Sequence, residues 1–223
     1  MKEYFNTKDK RKLLVVDSTY ILSHQTEFSI ENIFCKLERI LEIISLELER
    51  SYPEMISWFI SKYRNIYLGT QITGIKHKHE TVDNRPFILY IDDSDPVDPK
   101  LAAFSLLKKT STEQKVCSLF VCGNYRSCGV GRSLLLKTNS LFDTNSNLNP
   151  FITLSEITLK VYPYYPHLLI QSGYKYDTKM LYEDKPQEYY FTIDKLATKM
   201  ILLNNTDEKI IDDGEFVTGV IKP

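Results

Sequence analysis

The sequence has almost no net charge: 28 Lys and Arg stand against 29 Asp and Glu, leaving −1 at neutral pH. So small a balance gives no broad positive field, and general binding to a nucleic-acid backbone is not expected. Long apolar runs are missing too; none approaches the roughly 20 residues that cross a bilayer. The charged stretch Met1–Lys12 is followed by only a short apolar run, so no secretory leader is expected. Cysteine is scarce. Cys35, Cys117, Cys122 and Cys128 fit no zinc spacing, and a disulfide framework is not expected in 223 residues, so the thiols point to a reduced, cytoplasmic protein. The other metal candidate is His77 with His79, two apart on one strand face, but no third ligand lies near them and a solvated loop is the plainer reading. No metal site is expected. With 43% hydrophobic residues the chain can still bury a core of ordinary size, as one domain or as one domain with an appendage.

What is present concentrates in Lys115–Lys137, KVCSLFVCGNYRSCGVGRSLLLK. Val116–Cys122 is a near-continuous apolar run, as in a strand covered on both faces. A loop, Arg126–Gly131, opens directly into the apolar helix start Arg132–Lys137. Glycines at 129 and 131 let the chain turn sharply and remove β-carbons that would hold a ligand away. The first turn of a helix offers unpaired N–H groups and partial positive charge, which suits a phosphate or pyrophosphate. Two phosphate motifs fail here. A P-loop needs Gly where Arg126 stands and Lys where Arg132 stands; a dinucleotide fingerprint needs Gly where Leu134 stands. A strand-to-helix turn without a ligand is the plain alternative.

Around this stretch the chain alternates clear elements. Lys12–Asp17 reads as a first strand. Ser29 caps a helix whose stripe runs Ile30, Ile33, Phe34, Leu37, Ile40, Leu41, Ile44 and Leu48, read as core packing. Pro53 suits the first turn of a second helix, Pro53–Tyr67, with Ile56, Phe59, Ile60 and Tyr63 on one face; Trp58 reads as core or as a substrate-side residue. Arg85–Asp92, the acidic turn Asp92–Asp98, Leu101–Lys108 and the central strand form an antiparallel meander. Pro150–Glu156 reads as a further buried strand, Tyr162–Gly173 as a helix closed by a left-handed Gly173, and Gln187–Ile193 as a last strand. A right-handed crossover then sets Pro150–Glu156 parallel to Val116–Val121.

The segment Arg126–Gly131 matches Q/R-x-x-G-x-G/A, the acyl-CoA loop of the GCN5-related N-acetyltransferases (GNAT), placed as in that family between L-F-V and R-S-L-L. The resemblance extends from about Lys12 to Ile193. It is similar as well to a branch with an LKxT…EKKxCTLxV strand pair and a PLITVSE fifth strand, where this chain has LLKKTSTEQKVCSLFV and PFITLSE. The resemblance implies an α/β (α+β) fold, with a mixed, mostly antiparallel sheet, a parallel pair at its centre and helices on both faces. Residues 1–193 would form the acetyltransferase domain and 194–223 an extension, either a hairpin or a loose tail.

The resemblance further implies acetyl-CoA as co-substrate, lying where Val116–Val121 and Ile152–Leu154 part. Backbone groups around Leu119, Phe120 and Val121 would hold the pantetheine and polarise the acetyl carbonyl. Amides of Ser127, Cys128, Gly129, Val130, Gly131, Arg132 and Ser133 would hold the pyrophosphate. Arg126 either adds its guanidinium to a phosphate or fixes the turn; Arg132 either reaches the 3′-phosphate or is solvated. Cys128 reads as a tolerated small residue, since the family transfers the acetyl group directly. The family's usual acid and base positions are altered here: the central strand offers Lys115 and Ser118, and the late helix has Leu169. Glu156 is the best base by position, or a cap on the next turn; one of Tyr162, Tyr164 and Tyr165, with Tyr165 favoured, is the acid. The implied activity is acetyl transfer to an amine: a small molecule, a protein or peptide amine, or an aminoacyl-tRNA. The other reading is a GNAT-fold acyl-CoA-binding module that contacts a protein partner or a second copy of itself.

Overall fold

The computed structural model describes residues 1–47, 53–69, 80–143, 146–177 and 188–194. Eight strands form one sheet in the order β1-β2-β3-β4-β5-β6-β8-β7. They are β1 (Lys2–Asn6), β2 (Lys12–Asp17), β3 (Phe87–Asp92), β4 (Lys100–Lys109), β5 (Gln114–Val121), β6 (Phe151–Ser155), β7 (Tyr174–Tyr176) and β8 (Glu188–Ile193). All neighbours are antiparallel except β5 and β6, the parallel pair at the centre. The expected mixed α/β class is observed.

The helices are α1 (Ser18–Ser23), α2 (Ile30–Glu47), α3 (Pro53–Tyr67), α4 (Val130–Ser140), α5 (Glu156–Val161) and α6 (Tyr165–Gln171). Both sheet faces are covered, which is why the strands read as unbroken apolar runs. On one face the α2 stripe of Ile30, Phe34, Leu37 and Leu41 and the α3 residues Ile60, Tyr63 and Tyr67 pack against Leu14, Val16, Phe87, Leu89, Phe104 and Leu106. Phe87 anchors this layer, its ring centre 4.8 Å from Tyr67 and 5.9 Å from Phe34. On the other face Val130 and Leu134 of α4 cover Leu13, Val15, Ile88 and Tyr90. Leu135 and the α6 residue Leu169 cover Val116, Ile152 and Leu154.

Four elements depart from expectation. The charged N-terminal stretch forms edge strand β1, half exposed along its length and paired with β2 from Lys2–Val16 to Asn6–Lys12. Helix α1 follows β2 at once, because the Asp17 carboxylate accepts from Tyr20 N at 2.8 Å and so caps it. The strand expected over Pro150–Glu156 stops at Ser155, whose hydroxyl caps α5 by accepting from Thr158 N; Glu156 is therefore the first residue of a helix and not the end of a strand. The helix expected over Tyr162–Gly173 is shorter, Tyr165–Gln171, and Tyr162 instead closes α5. Gly173, at φ 89°, takes the left-handed position expected of it. Leu48, the side chains of Ile56, Trp58 and Phe59, the Lys76–His79 cluster and residues 195–223 lie outside what is described. Among the described residues no helix is long and apolar enough to cross a membrane, and no cluster of His, Cys, Asp and Glu could hold a metal.

Candidate active site

β5 and β6 pair only at Lys115–Phe151 and Val116–Ile152, after which the strands separate. The cause lies on the other flank of β5. There the register passes from Leu107–Val116 to Leu106–Ser118, so Cys117 is an extra residue, a bulge that bends β5. The gap opens beyond that bend. Side chains reach into it: the Tyr165 hydroxyl donates to Leu119 O at 3.4 Å and Arg126 Nε donates to Val121 O at 2.9 Å. Those carbonyls therefore point away from β4. Strand alternation turns the intervening Phe120 backbone toward β4, and Cys122 N does bond Ala102 O at 2.9 Å. Leu119 and Val121 thus offer backbone groups to the gap, and Phe120 offers its ring. The Arg126 guanidinium lies 5.3 Å from the centre of that ring and 5.2 Å from the Tyr162 ring, spanning the two sides of the opening. Arg126 thus ties the loop to the end of β5.

The loop itself is braced from behind. Its short turn Gly123–Tyr125 is clamped by Arg11, which donates to Asn124 O at 2.6 Å and stacks 4.4 Å from the Tyr125 ring centre. Tyr125 in turn donates to Asp92 at 2.8 Å. Lys8 N bonds Cys128 O at 3.1 Å, which ties the β1–β2 turn to the loop. Cys128 is buried and its thiol donates to Tyr125 O, so it faces the scaffold. Val130 is fully buried and belongs to the scaffold.

Ser127 and Gly129 both take left-handed backbone, at φ 62° and 89°, which turns the chain into α4. No side chain caps that helix. Its first-turn amides at Val130, Gly131 and Arg132 are thus without intrahelical acceptors. Ser133 is withdrawn from this set: its amide bonds Gly129 O at 3.1 Å and its hydroxyl bonds the Tyr90 hydroxyl at 2.8 Å. Arg132 is exposed. A β-carbon on Gly131 would stand 3.4 Å from Leu168 Cδ2 and 3.7 Å from Val121 Cγ2, so residue 131 looks into the space between β5 and α6.

The three tyrosines are now distinguishable. Tyr164 is exposed, Tyr162 is buried against Arg126, and Tyr165 alone places its phenol on the β5 edge. Burial holds the Tyr165 phenol protonated well above its usual range, with nearby Tyr164 adding to the effect. Glu156 stands at the head of α5, close to half exposed, and pairs with Lys160 one turn on at 2.9 Å.

A second set of residues, on the α2/α3 side of the sheet, carries no signal in the sequence. Lys62, Glu80 and Arg85 form a buried ion cluster beside Cys117. Burial alone would raise the Glu80 carboxyl, but Lys62 and Arg85 hold it below its usual range. Burial lowers the Lys62 ammonium, and Arg85 and Lys108 push the same way. Three separate segments meet here, so no local spacing could have revealed the cluster.

No protein-family model and no curated protein matches the sequence. Solved structures do. The PaiA N-acetyltransferase of Thermoplasma acidophilum, in complex with coenzyme A, aligns over 81% of this chain and 98% of its own, with 12% identity and TM-score 0.51. An acetyltransferase of the GNAT family from Staphylococcus aureus Mu50 aligns over 81% and 99%, with 14% identity and TM-score 0.50. The chain spans just under two thirds (65%) of nourseothricin acetyltransferase, at 16% identity and a TM-score of 0.36 that bears on neither fold nor function. The likeness is one of fold: the mixed sheet with its central parallel pair is shared with the first two of these acetyltransferases.

Proposed function

We propose that the protein is an acetyl-CoA-dependent N-acetyltransferase that moves the acetyl group directly to an amine, with residues 1–193 as the transferase domain. One observation carries this reading: an uncapped helix start, α4, faces the same opening in which β5 leaves its parallel partner. The PaiA relative of this fold was crystallised with coenzyme A. Acetyl-CoA suits both halves of the opening, an anion for the amides and a peptide-like arm for the strand edge.

In this reading the amides from Ser127 to Arg132 hold the pyrophosphate. Leu119 and Val121 exchange their bonds from Tyr165 and Arg126 for bonds to the pantetheine amides. The Leu119 N–H then polarises the acetyl carbonyl and stabilises charge on its oxygen as the amine attacks. The C–S bond breaks, and the released Tyr165 hydroxyl protonates the departing thiolate. Glu156, near the opening and exposed to water, takes the ammonium proton through solvent. Four free cysteines suit a reducing cytoplasm.

A second reading, a binding module without turnover, draws on the central strand, which supplies Lys115 and Ser118 where a carboxylate would serve as base. Calorimetric titration with acetyl-CoA, followed by a thiol-release assay over a panel of amines, separates the two. Binding with turnover is the expected result. Tight binding without turnover on any amine supports the module, and no binding sinks both.

A further inference from the structure

The loop that enters α4 contains a backbone conformation that local sequence does not favour. Ser127 is left-handed without being glycine, at φ 62°, and such a residue persists only where neighbouring contacts enforce it. Those contacts come from the edge hairpin β1–β2, which touches α4 and its loop at four levels. Glu3 pairs with Lys137 in the last turn of α4 at 2.6 Å. The Phe5 ring would stand 3.6 Å from a β-carbon on Gly129, and it packs edge-on to Tyr90, whose hydroxyl bonds Ser133. Lys8 N bonds Cys128 O, and Arg11 reaches both Asn124 O and the Tyr125 ring. The turn that presents Arg11 is closed on itself. Thr7 is buried; its N–H donates to Arg11 O at 2.9 Å, and its hydroxyl accepts from Arg11 N at 2.8 Å. Lys10 is the left-handed residue of that turn, at φ 67°. Asp9 takes Arg11 Nη2 at 2.5 Å, the same nitrogen that donates to Asn124 O at 2.6 Å. The guanidinium is thus fixed from the hairpin side and aimed at a turn 113 residues further on. From there the hold passes to Cys128, whose thiol donates to Tyr125 O at 2.9 Å and which sits between the two left-handed residues.

We propose that Arg11 is a positioning residue for the phosphate loop, and that the β1–β2 turn sets how tightly acetyl-CoA is held. The inference rests on the acetyltransferase reading and extends it to residues outside the loop. Amides from Ser127 to Arg132 serve one diphosphate only when they are aimed together, and a loop that must be ordered on binding gives up affinity. A loop found in its binding form about a tenth of the time binds about tenfold more weakly. Asp9 answers the charge of Arg11, so the effect runs through order and not through a field on the phosphates.

Hydrogen exchange on the ligand-free protein and calorimetric titration with acetyl-CoA test the two halves separately. Arg11→Met keeps an apolar stem over Tyr125 and removes the donors. It should speed exchange at least tenfold in the peptide 122–134, where the Tyr125, Arg126 and Ser133 amides are bonded within the loop and helix, and leave α2 unchanged. Acetyl-CoA affinity should fall at least tenfold with little change in Tm. Arg11→Lys can still donate to Asn124 O and should recover affinity to within about threefold of the starting protein. Unchanged exchange in 122–134 overturns the proposal, and so does faster exchange spread equally over α2, which would make Arg11 a general stabiliser. Faster local exchange with unchanged affinity breaks the link to the cofactor, and equal losses in the Met and Lys variants remove the role of the donated bond. A starting protein that does not bind acetyl-CoA is a different failure: it removes the transferase reading, while the exchange result still decides whether Arg11 orders the loop.

Discussion

The two flanks of β5 obey opposite rules. Toward β4 it is in register from Ala103–Val121 to Lys109–Gln114, interrupted only by the bulge at Cys117. Toward β6 it is paired at Lys115 and Val116 alone. The first flank is sealed by Phe104 and Leu106 beneath α2 and α3; the second leaves the Leu119 and Val121 carbonyls to side chains. An open strand edge is ordinarily a liability, because it recruits other strands. Here Tyr165 of α6 and Arg126 occupy its carbonyls, so the edge is shielded from a further β-strand. Stability should therefore reside mainly on the closed flank and ligand affinity on the open one.

The largest effect expected from this asymmetry is on binding. Gly131→Glu sends a carboxylate into the space between β5 and α6, beside the proposed pyrophosphate site, and should weaken acetyl-CoA at least a hundredfold, about 2.7 kcal/mol. Gly131→Ala meets only the end of the Leu168 side chain at 3.4 Å and should cost far less. Calorimetry on the folded variants decides the matter; a Glu variant that binds normally places the site elsewhere.

The converse holds for the closed flank. Phe104→Ala empties a fully buried position between β4 and the α2/α3 layer and should cost about 3–5 kcal/mol of stability in urea. Acetyl-CoA affinity should stay within a few-fold of the starting protein. A large loss of affinity would mean that the two flanks are not independent.

Much of the closed flank was legible in the sequence. The α2 stripe, the Pro53 start of α3 and the β3–β4–β5 meander follow from periodicity and from prolines, and each signal is local. β1 was hidden because an edge strand with charged, half-exposed residues has no apolar alternation to display. α5 was hidden because PFITLSE runs into EITLKV with no glycine or proline between strand and helix. The loop 126–131 was legible as a sharp turn into a helix from its glycines. That Cys128 and Val130 turn inward, and that Ser133 spends its amide within the helix, depends on the β1–β2 turn and on Tyr90, far away in sequence. The Lys62–Glu80–Arg85 cluster was beyond reach for the same reason.

A subtler difference between the flanks concerns Tyr165. Tyr165→Phe removes one long hydrogen bond to Leu119 O, so stability should change by less than about 1 kcal/mol. As the acid for the leaving thiolate its loss should lower kcat about 10- to 100-fold with acetyl-CoA affinity unchanged. Its phenol is held above the usual range by burial, so kcat should show no loss from Tyr165 ionisation up to about pH 10. The same sign governs stability. Tyr63, Tyr67, Tyr90, Tyr165 and Tyr174 all have phenols raised by burial, whereas the unfolded chain releases those protons near pH 10. Above about pH 10 the folded state binds more protons than the unfolded one, and stability should fall as pH rises further. A Tm that stays flat from pH 9 to 11 contradicts this.

Glu156 sets the lower bound. Its carboxylate is partly exposed and paired only with Lys160 one helical turn away, an arrangement worth about 0.3–0.5 kcal/mol. Water can replace a base that acts through solvent, so Glu156→Gln should lower kcat by less than tenfold and leave acetyl-CoA binding intact. The two effects are separable: Lys160→Ala removes the same ion pair and should reproduce the stability loss without the loss of kcat. If Glu156→Gln instead cost a hundredfold or more in kcat, the carboxylate would have to contact the amine directly, and the acceptor would enter past α5.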